Sequence, residues 1–312
     1  MKTHSLKFAN KPGVALIAVL WLIAILSLAA ITTMRVISFD MEIATAKVHG
    51  SRAFQLAEMG IAIGSNPIVD RDDPILHRID EDNNEELHVT LTSEGARFNI
   101  NTLVLNEDKT LIRSIFIEWG LDLDSAQALT DAMTDWVDAD DEEALNGAES
   151  GDYEKIGRIN QPFNRPFYDI SEMSLVMGMD QVEQLRPDWR DWFTVWSGGT
   201  LDINEADAEL IAVAADVGVE QAQVIPETVR GTDGIRDTED DVPFPDVASA
   251  LSLLGIGGES SQLIASRFTQ EDTTTRITST ARAGDAKRRI TAIVRNRTGK
   301  PALLDRTTEI IP

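Results

Sequence analysis

The densest chemistry in the sequence lies at residues 135–153, DWVDADDEEALNGAESGDY, where acids outnumber every other residue type. Carboxylates crowded into one short stretch repel one another unless a countercharge is present. Oxygen ligands from several acids, six to eight at about 2.3–2.6 Å, are what Ca²⁺ takes. Asp138, Asp140, Asp141, Glu142 and Glu149 are therefore candidate ligands for Ca²⁺. The run Asp138-x-Asp140-x-Glu142 imitates the first positions of an EF-hand, but Glu143 stands where that loop needs its turn glycine. No EF-hand is predicted. The competing reading is a solvated acidic loop whose aspartates cap helices, with Trp136 in the core. A second acidic stretch at 233–241, DGIRDTEDD, is read in that plainer way.

Other chemistry is poorly provided for. There is no cysteine, and His4, His49, His77 and His88 are scattered along the chain. Thiol catalysis and histidine clusters have little to stand on. No nucleophile–base pair, phosphate loop or zinc pattern is present, so an enzyme is not expected. The net charge of −24 opposes sequence-independent nucleic-acid binding, which needs positive charge against the phosphates. Leu254-Gly255-Ile256-Gly257, followed by Ser261, Ile264 and Arg267, is similar to the helix-hairpin-helix DNA-binding signature. Glu259 and acidic surroundings oppose that use, and a helix–turn–helix packing element is expected instead. Lys287, Arg288, Arg289, Arg295 and Arg297 form the one basic cluster. It is read as the exposed face of an edge hairpin, where charge discourages edge pairing.

The elements that would carry these residues begin with an apolar run. Residues 14–31 read VALIAVLWLIAILSLAAI, without a charge. Extended to Met34 the run is long enough to cross the roughly 30 Å hydrocarbon core as a helix. Lys2, Lys7 and Lys11 precede it and the first acid afterwards is Asp40. The positive-inside rule keeps the N-terminus cytoplasmic and sends the rest across the membrane. The run is too long for the apolar core of a cleaved secretory signal. Helical spacing continues through Phe39, Ile43, Ala46, Gly50, Ala53, Ala57, Ile61 and Gly64 until Asn66-Pro67 stops it. The small residues of this stripe allow close approach of another element.

Strand character is confined to two places. Leu87, Val89 and Leu91 alternate with polar residues, Ser93-Glu94-Gly95 turns the chain, and Ala96, Phe98 and Ile100 alternate again. A second hairpin is read from Ile277, Ser279 and Ala281 through Gly284-Asp285 to Ile290, Ala292 and Val294. Between them the spacing is helical at 109–119, 125–137, 170–177, 206–215 and 246–254. The expected architecture is α+β: one antiparallel sheet under a long N-terminal helix, split by a helical insertion. Phe98-Asn99-Ile100-Asn101 and Leu201-Asp202-Ile203-Asn204 echo one another, and Asn101 and Asn204 are read as helix N-caps.

The junction Lys11-Pro12-Gly13-Val14 resembles the class III signal of type IV pilins and type II secretion pseudopilins. That resemblance implies cleavage between Gly13 and Val14 by prepilin peptidase, with methylation of the new N-terminus and retention of the helix. Most pilins carry Glu at the fifth mature residue, where this chain has Ala18. Pseudopilin K of the type II secretion system is the family that lacks this Glu, as suits a subunit with none ahead of it. Asp135, Trp136, Asp138, Asp140, Gly147, Ala148, Glu149 and Tyr153 resemble that family's D-W-x-D-x-D…G-A-E…Y signature. Residues 172–178, EMSLVMG, resemble its E-L-x-L-V-x-G helix; the resemblance is weakest across 216–245.

What the resemblance implies is a leader at 1–13 and a transmembrane helix at 14–34. The periplasmic part of that helix would occupy 35–66. A pilin-like α/β body would be formed by 67–100 and 271–312, with an inserted all-α domain at 101–270. It further implies a minor pseudopilin at the tip of the pseudopilus, starting assembly and supporting export across the outer membrane. Implied partners are minor pseudopilins I and J, prepilin peptidase and the inner membrane, with pseudopilin H and the major pseudopilin as further candidates. The alternatives are a signal-anchored periplasmic protein that binds Ca²⁺ or another ligand, and a minor pilin of a type IV pilus.

Overall fold

The computed structural model describes residues 12–258 and 260–311. Helix α1 (Pro12–Gly64) runs unbroken for 53 residues, about 80 Å at 1.5 Å per residue. From Ala15 to Val48 it touches little of the chain. Leu20, Trp21, Leu26, Met34 and Phe39 are all exposed. Its last turns lie on a sheet, where Ala53 and Ala57 are fully buried. Contact there is so close that a Cβ at Gly60 would strike Leu87, Val89 and Ser279, and one at Gly64 would strike Ile277. The glycines are what let helix and sheet meet. Phe39, Ile43 and Ala46 of the same stripe stay uncovered, so one stripe serves two surroundings.

The sheet has five antiparallel strands in the order β1 (His77–Asp80), β2 (Glu85–Ser93), β7 (Thr274–Ala283), β8 (Ala286–Arg295), β9 (Ala302–Ile311). Leu87, Val89 and Leu91 face α1 together with Ile277, Ala281, Ile290 and Ala292, forming one apolar core. The alternation seen in the sequence is this inward-facing set.

Three local expectations are corrected. Strand β2 does not form a hairpin with residues 96–100. It pairs backward with β1, out of a stretch too polar to stand out as a strand, while Glu94–Ala96 is a 3-10 turn that takes the chain away from the sheet. Strand β8 is not an edge, because β9 covers it. The basic cluster is accordingly divided. Arg297 is buried, and its Nη1 donates to the carbonyls of Gly64, Asn66 and Val69, capping the end of α1. Arg295 donates to the Trp196 carbonyl.

Between β2 and β7 the chain builds a second body with its own apolar core, centred on Trp119, Trp136, Trp189 and Phe193. It is made in two similar passes. In the first, β3 (Phe98–Asn99) leads into α2 (Ile100–Leu105), α3 (Lys109–Glu118), α4 (Leu123–Val137), α5 (Ser150–Lys155) and α6 (Met179–Leu185). That pass closes on β4 (Phe193–Thr194), which lies parallel to β3. In the second, β5 (Leu201–Asp202) leads into α7 (Ala208–Ala215) and shorter helices, closing on the parallel β6 (Phe268–Thr269).

The asparagine echo belongs to this repetition, but neither Asn is an N-cap. Asn99 caps α2 by accepting from the Thr102 N–H. Asn101 instead donates to the Phe167 carbonyl and accepts from the Phe167 N–H, at 2.9 and 2.8 Å. Asn204 makes the same pair of bonds to Phe244, at 3.1 and 2.8 Å, and also donates to the Gln270 carbonyl. Each amide imitates a strand, holding a Pro-Phe segment against the start of its own pass.

The two bodies meet at Glu94. This carboxylate is fully buried and receives Arg276 Nε and Nη2 at 2.7 and 2.8 Å and the Thr194 hydroxyl at 2.5 Å. Ser93 donates to Asp202 beside it.

Candidate functional site

Helix α4 delivers the acidic loop. Asp131, Asp135 and Asp138 recur at intervals of four and three, which places them along one face of the helix. The other face is apolar, and Trp136 is completely buried. Its ring stacks on Phe167, with centroids 6.1 Å apart, and meets Tyr153 and Phe163 edge-on. Tyr153 is buried too, its hydroxyl accepting from the Met177 N–H at 3.1 Å. The D-W pair and the distant Tyr therefore form one packed unit that fixes where the acids stand.

Asp135 organises the loop. Its carboxylate accepts from the Ala144 and Ala148 N–H groups, the second at 2.9 Å. A Cβ at Gly147 would fall onto that carboxylate, so the glycine is required by close approach. Burial pushes Asp135 up to about 6, against those two bonds and helped by Asp138 and Asp131. Asp131 is held below the ordinary carboxylate range: burial acts against this, but Gln127, Lys109 and Asn146 outweigh it. Its ion pair with Lys109 spans 3.1 Å.

Glu149 has less help. It is 6% exposed, no side chain donates to its carboxylate, and only backbone N–H at the start of its own helix opposes the rise. Burial raises it to about 7, with Asp135 and Asp138 adding like charge. Asp138 is raised by burial and then by Asp140, and its Oδ1 is buried without a partner.

The five residues expected as ligands are thus not one set. Asp138 and Glu149 share a half-enclosed, electronegative corner. Asp140, Asp141 and Glu142 lie on the exposed run. There Asp140 accepts from the Glu142 N–H and Asp141 from the Asn164 side chain. Among the described residues no group of three or more His, Cys, Asp or Glu side chains stands ready to hold a metal. The residue missed by counting acids along the loop is Asp135, and its signal was the helical spacing from Asp131.

The second acidic stretch is satisfied mostly by its own backbone and hydroxyls, with Asp237 also paired to Arg71 at 3.5 Å and Asp241 Oδ1 buried without a partner. Asp240 accepts from the Thr232 and Asp233 N–H groups and from two threonine hydroxyls. The turn at Gly255 closes a helix end, with the Ile256 N–H donating to the Leu251 carbonyl. Glu259, on which the reading of that turn partly rested, lies outside the described residues.

At the other end of the molecule, α1 is the one helix among the described residues long and apolar enough to cross a membrane. An 18-residue window in it reaches a mean hydropathy of 2.7. Gly13 and Val14 lie in its first turn. The leader lysines Lys2, Lys7 and Lys11 lie outside the described residues.

Residues 96–188 match the family model described as type II secretion system (T2SS), protein K. This segment spans the whole acidic loop and its aromatic support. Among curated proteins the chain is similar to type II secretion system protein K of Pseudomonas aeruginosa, 27% identical over 169 residues, 51% of this chain and 49% of that protein. It is also similar to protein K of Dickeya chrysanthemi, 39% identical over 70 residues, 22% of this chain and 19% of that protein. Protein K of Klebsiella pneumoniae is 32% identical over 107 residues, 31% of this chain and 33% of that protein. The matches thus span about half or less of the length of these relatives. Among solved structures, a chain of the GspK–GspI–GspJ complex from enterotoxigenic Escherichia coli superposes with a TM-score of 0.58 at 17% identity. That match covers 87% of this chain and 98% of the other, and it establishes a shared fold.

Proposed function

Because residues 96–188 match the family model of type II secretion system protein K, we propose that the chain belongs to that family and works as a minor pseudopilin at the tip of a secretion pseudopilus. The observation that carries this reading is the division of α1. One helix offers an uncovered apolar length and then, without a break, becomes the packed spine of a folded body. Such a helix can sit in lipid and later exchange lipid for the helices of neighbouring subunits. The mechanism is assembly: a body carried on a spine starts a filament and supports export across the outer membrane. Ala18 supports a tip position, since it offers no carboxylate to a subunit ahead. The similar solved chain comes from a complex with GspI and GspJ, and we assign minor pseudopilins I and J as partners on that basis. The N-terminus would be cytoplasmic, the folded bodies periplasmic, and the helix held in the inner membrane until assembly.

Processing tests this reading. Co-expression with prepilin peptidase should shorten the chain to begin at Val14, and Gly13→Asp should abolish the cut, both read by intact mass. An uncut chain, beside a second substrate that the same peptidase does cut, would overturn the filament reading.

We assign Ca²⁺ to the acidic corner as a structural ion. The support is Glu149, a carboxylate buried without a cation or a side-chain donor, next to the unpartnered Asp138 Oδ1. Asp138 and Glu149 would hold the ion, with Asp140, Asp141 and Glu142 available from the exposed run. The ion supplies the positive charge that the loop lacks. Calorimetric titration of the full chain with CaCl₂ should give binding that Glu149→Gln abolishes; binding unchanged by that substitution would remove the assignment.

A further inference from the structure

His77 and His88 account for half of the histidines, and the fold brings them together. They stand directly opposite one another in the antiparallel pair of β1 and β2. Side chains alternate across a strand, so with Leu87 and Val89 turned toward α1, His88 points to the opposite, solvent face. Both imidazoles are exposed, their rings edge to face with centroids 5.3 Å apart. Their Nδ1 atoms face each other at 3.2 Å.

That distance has two chemical meanings. Two neutral imidazoles can share one proton between the facing nitrogens, one as donor and the other as acceptor. A metal ion can take the place of that proton. Zn–N bonds of 2.0–2.1 Å meeting at a tetrahedral angle span about 3.3 Å between nitrogens. The facing pair therefore stands near the nitrogen separation of a chelate, and a tilt of the rings that turns both Nδ1 lone pairs from each other onto the ion completes the bite.

We propose that His77 and His88 form a two-nitrogen binding site for a borderline divalent transition ion of the Zn²⁺ or Cu²⁺ class. Imidazole suits such ions, whereas Ca²⁺ and Mg²⁺ require oxygen. The site is thus chemically separate from the acidic corner on the other body. Water fills the remaining coordination positions.

The site has a structural consequence. Strand β1 is four residues long and forms one edge of the sheet, and its burial is slight. Little apolar area holds it to β2. An ion bridging His77 and His88 would staple this edge, and binding to the folded form alone raises stability by mass action.

The test uses the full chain in detergent with Ca²⁺ in excess, so that the acidic corner is occupied before ZnCl₂ is titrated. One Zn²⁺ per chain is expected. His77→Gln or His88→Gln removes a ligand and should weaken binding by at least about tenfold, since even the loss of a ligand's hydrogen-bond partner costs about 10–100-fold. His49→Gln should leave binding unchanged. Both substituted side chains are exposed, so the metal-free melting curves should overlay, and only the unsubstituted chain should melt higher with Zn²⁺. Independently of any substitution, the spectrum of the Cu²⁺-loaded chain in electron paramagnetic resonance should show coupling to two imidazole nitrogens. Absence of Zn²⁺ binding, equal binding after His88→Gln, or Cu²⁺ coupled to fewer than two nitrogens would each overturn the proposal.

Discussion

Glu94 and Glu149 are both buried glutamates, and they have been solved in opposite ways. Glu94, at the junction of the two bodies, receives a two-pronged guanidinium from Arg276 and a hydroxyl from Thr194, with Arg97 at 3.7 Å. Glu149, in the acidic corner, receives no cation and no side-chain donor, only backbone N–H at the start of its own helix, and faces other carboxylates. A buried charge needs a partner, or it gives up its charge. Where the chain supplies the countercharge itself, the contact is fixed whatever the medium contains. Where the chain withholds it, the solution decides, through a proton or a cation. The junction is thus built as a rigid weld, and the corner as a site that responds.

The hardest test of the weld is Arg276→Met. It keeps the length of the stem and deletes the charge, stranding Glu94 in the interior. Breaking a buried pair from one side costs about 3–5 kcal/mol. The Arg276 side chain is 29% exposed, which points to the lower end of that range. Adding Glu94→Gln should recover part of the loss, because the stranded charge is then gone. Denaturant unfolding reads both numbers. A loss below about 1 kcal/mol for Arg276→Met would mean that solvent, not the arginine, neutralises Glu94.

The corner should respond to pH. Burial and like charge raise the folded-state value of Glu149 to about 7, against an ordinary 4.5. Between those limits the folded chain binds the extra proton, so stability falls as pH rises from about 4.5 to 7 and then levels off. The slope contributed is at most about 1.4 kcal/mol per pH unit. Asp135, raised to about 6, adds to it over the lower part of the window. Glu149→Gln should flatten the metal-free profile and remove the gain from Ca²⁺ at pH 8, both measured as melting temperatures with and without chelator. A flat profile in the unsubstituted chain would show that Glu149 finds a partner in solution.

How much of this was legible in the sequence depended on whether the signal was local. The apolar run of α1, the inward alternation of β7 and β8 and the burial of Trp136 all follow from the residues themselves, since periodicity reports the environment directly. Strand β1 was not legible: His77-Arg78-Ile79-Asp80 is exposed on nearly every side chain, and only pairing to β2 makes it a strand. The hairpin assigned to 96–100 failed for the same reason. Phe98 and Asn99 are strand residues, but their partner is Phe193-Thr194, far along the chain. In the acidic loop, counting carboxylates found the right place, yet only the fold separates the half-buried Asp138 and the buried Glu149 from the solvated Asp140 and Glu142. The partners of Arg297 and Arg276, buried carbonyls for the first and a buried carboxylate for the second, were not legible, because an arginine in a strand or loop looks exposed until its partner is known.

The finest comparison is between the two passes of the helical body, through Asn101 and Asn204. Both amides bond to the backbone of a Pro-Phe segment, but Asn204 adds a third bond, to Gln270, and is the more buried. Truncation to Ala leaves backbone groups unpaired, at about 1–3 kcal/mol for a buried site. Asn204→Ala should therefore cost more than Asn101→Ala, for which water can reach the freed groups and the loss should be about 1 kcal/mol. Asn101 also lies nearer the acidic corner: the segment it holds carries Phe167, on which Trp136 stacks. Asn101→Ala should therefore weaken Ca²⁺ binding while Asn204→Ala leaves it unchanged, so the ranking by stability and the ranking by ion binding run in opposite directions. Calorimetry and denaturation on the same two variants separate these readouts. Parallel rankings would mean that the aromatic support does not fix the acids, and that the corner is set by the loop backbone alone.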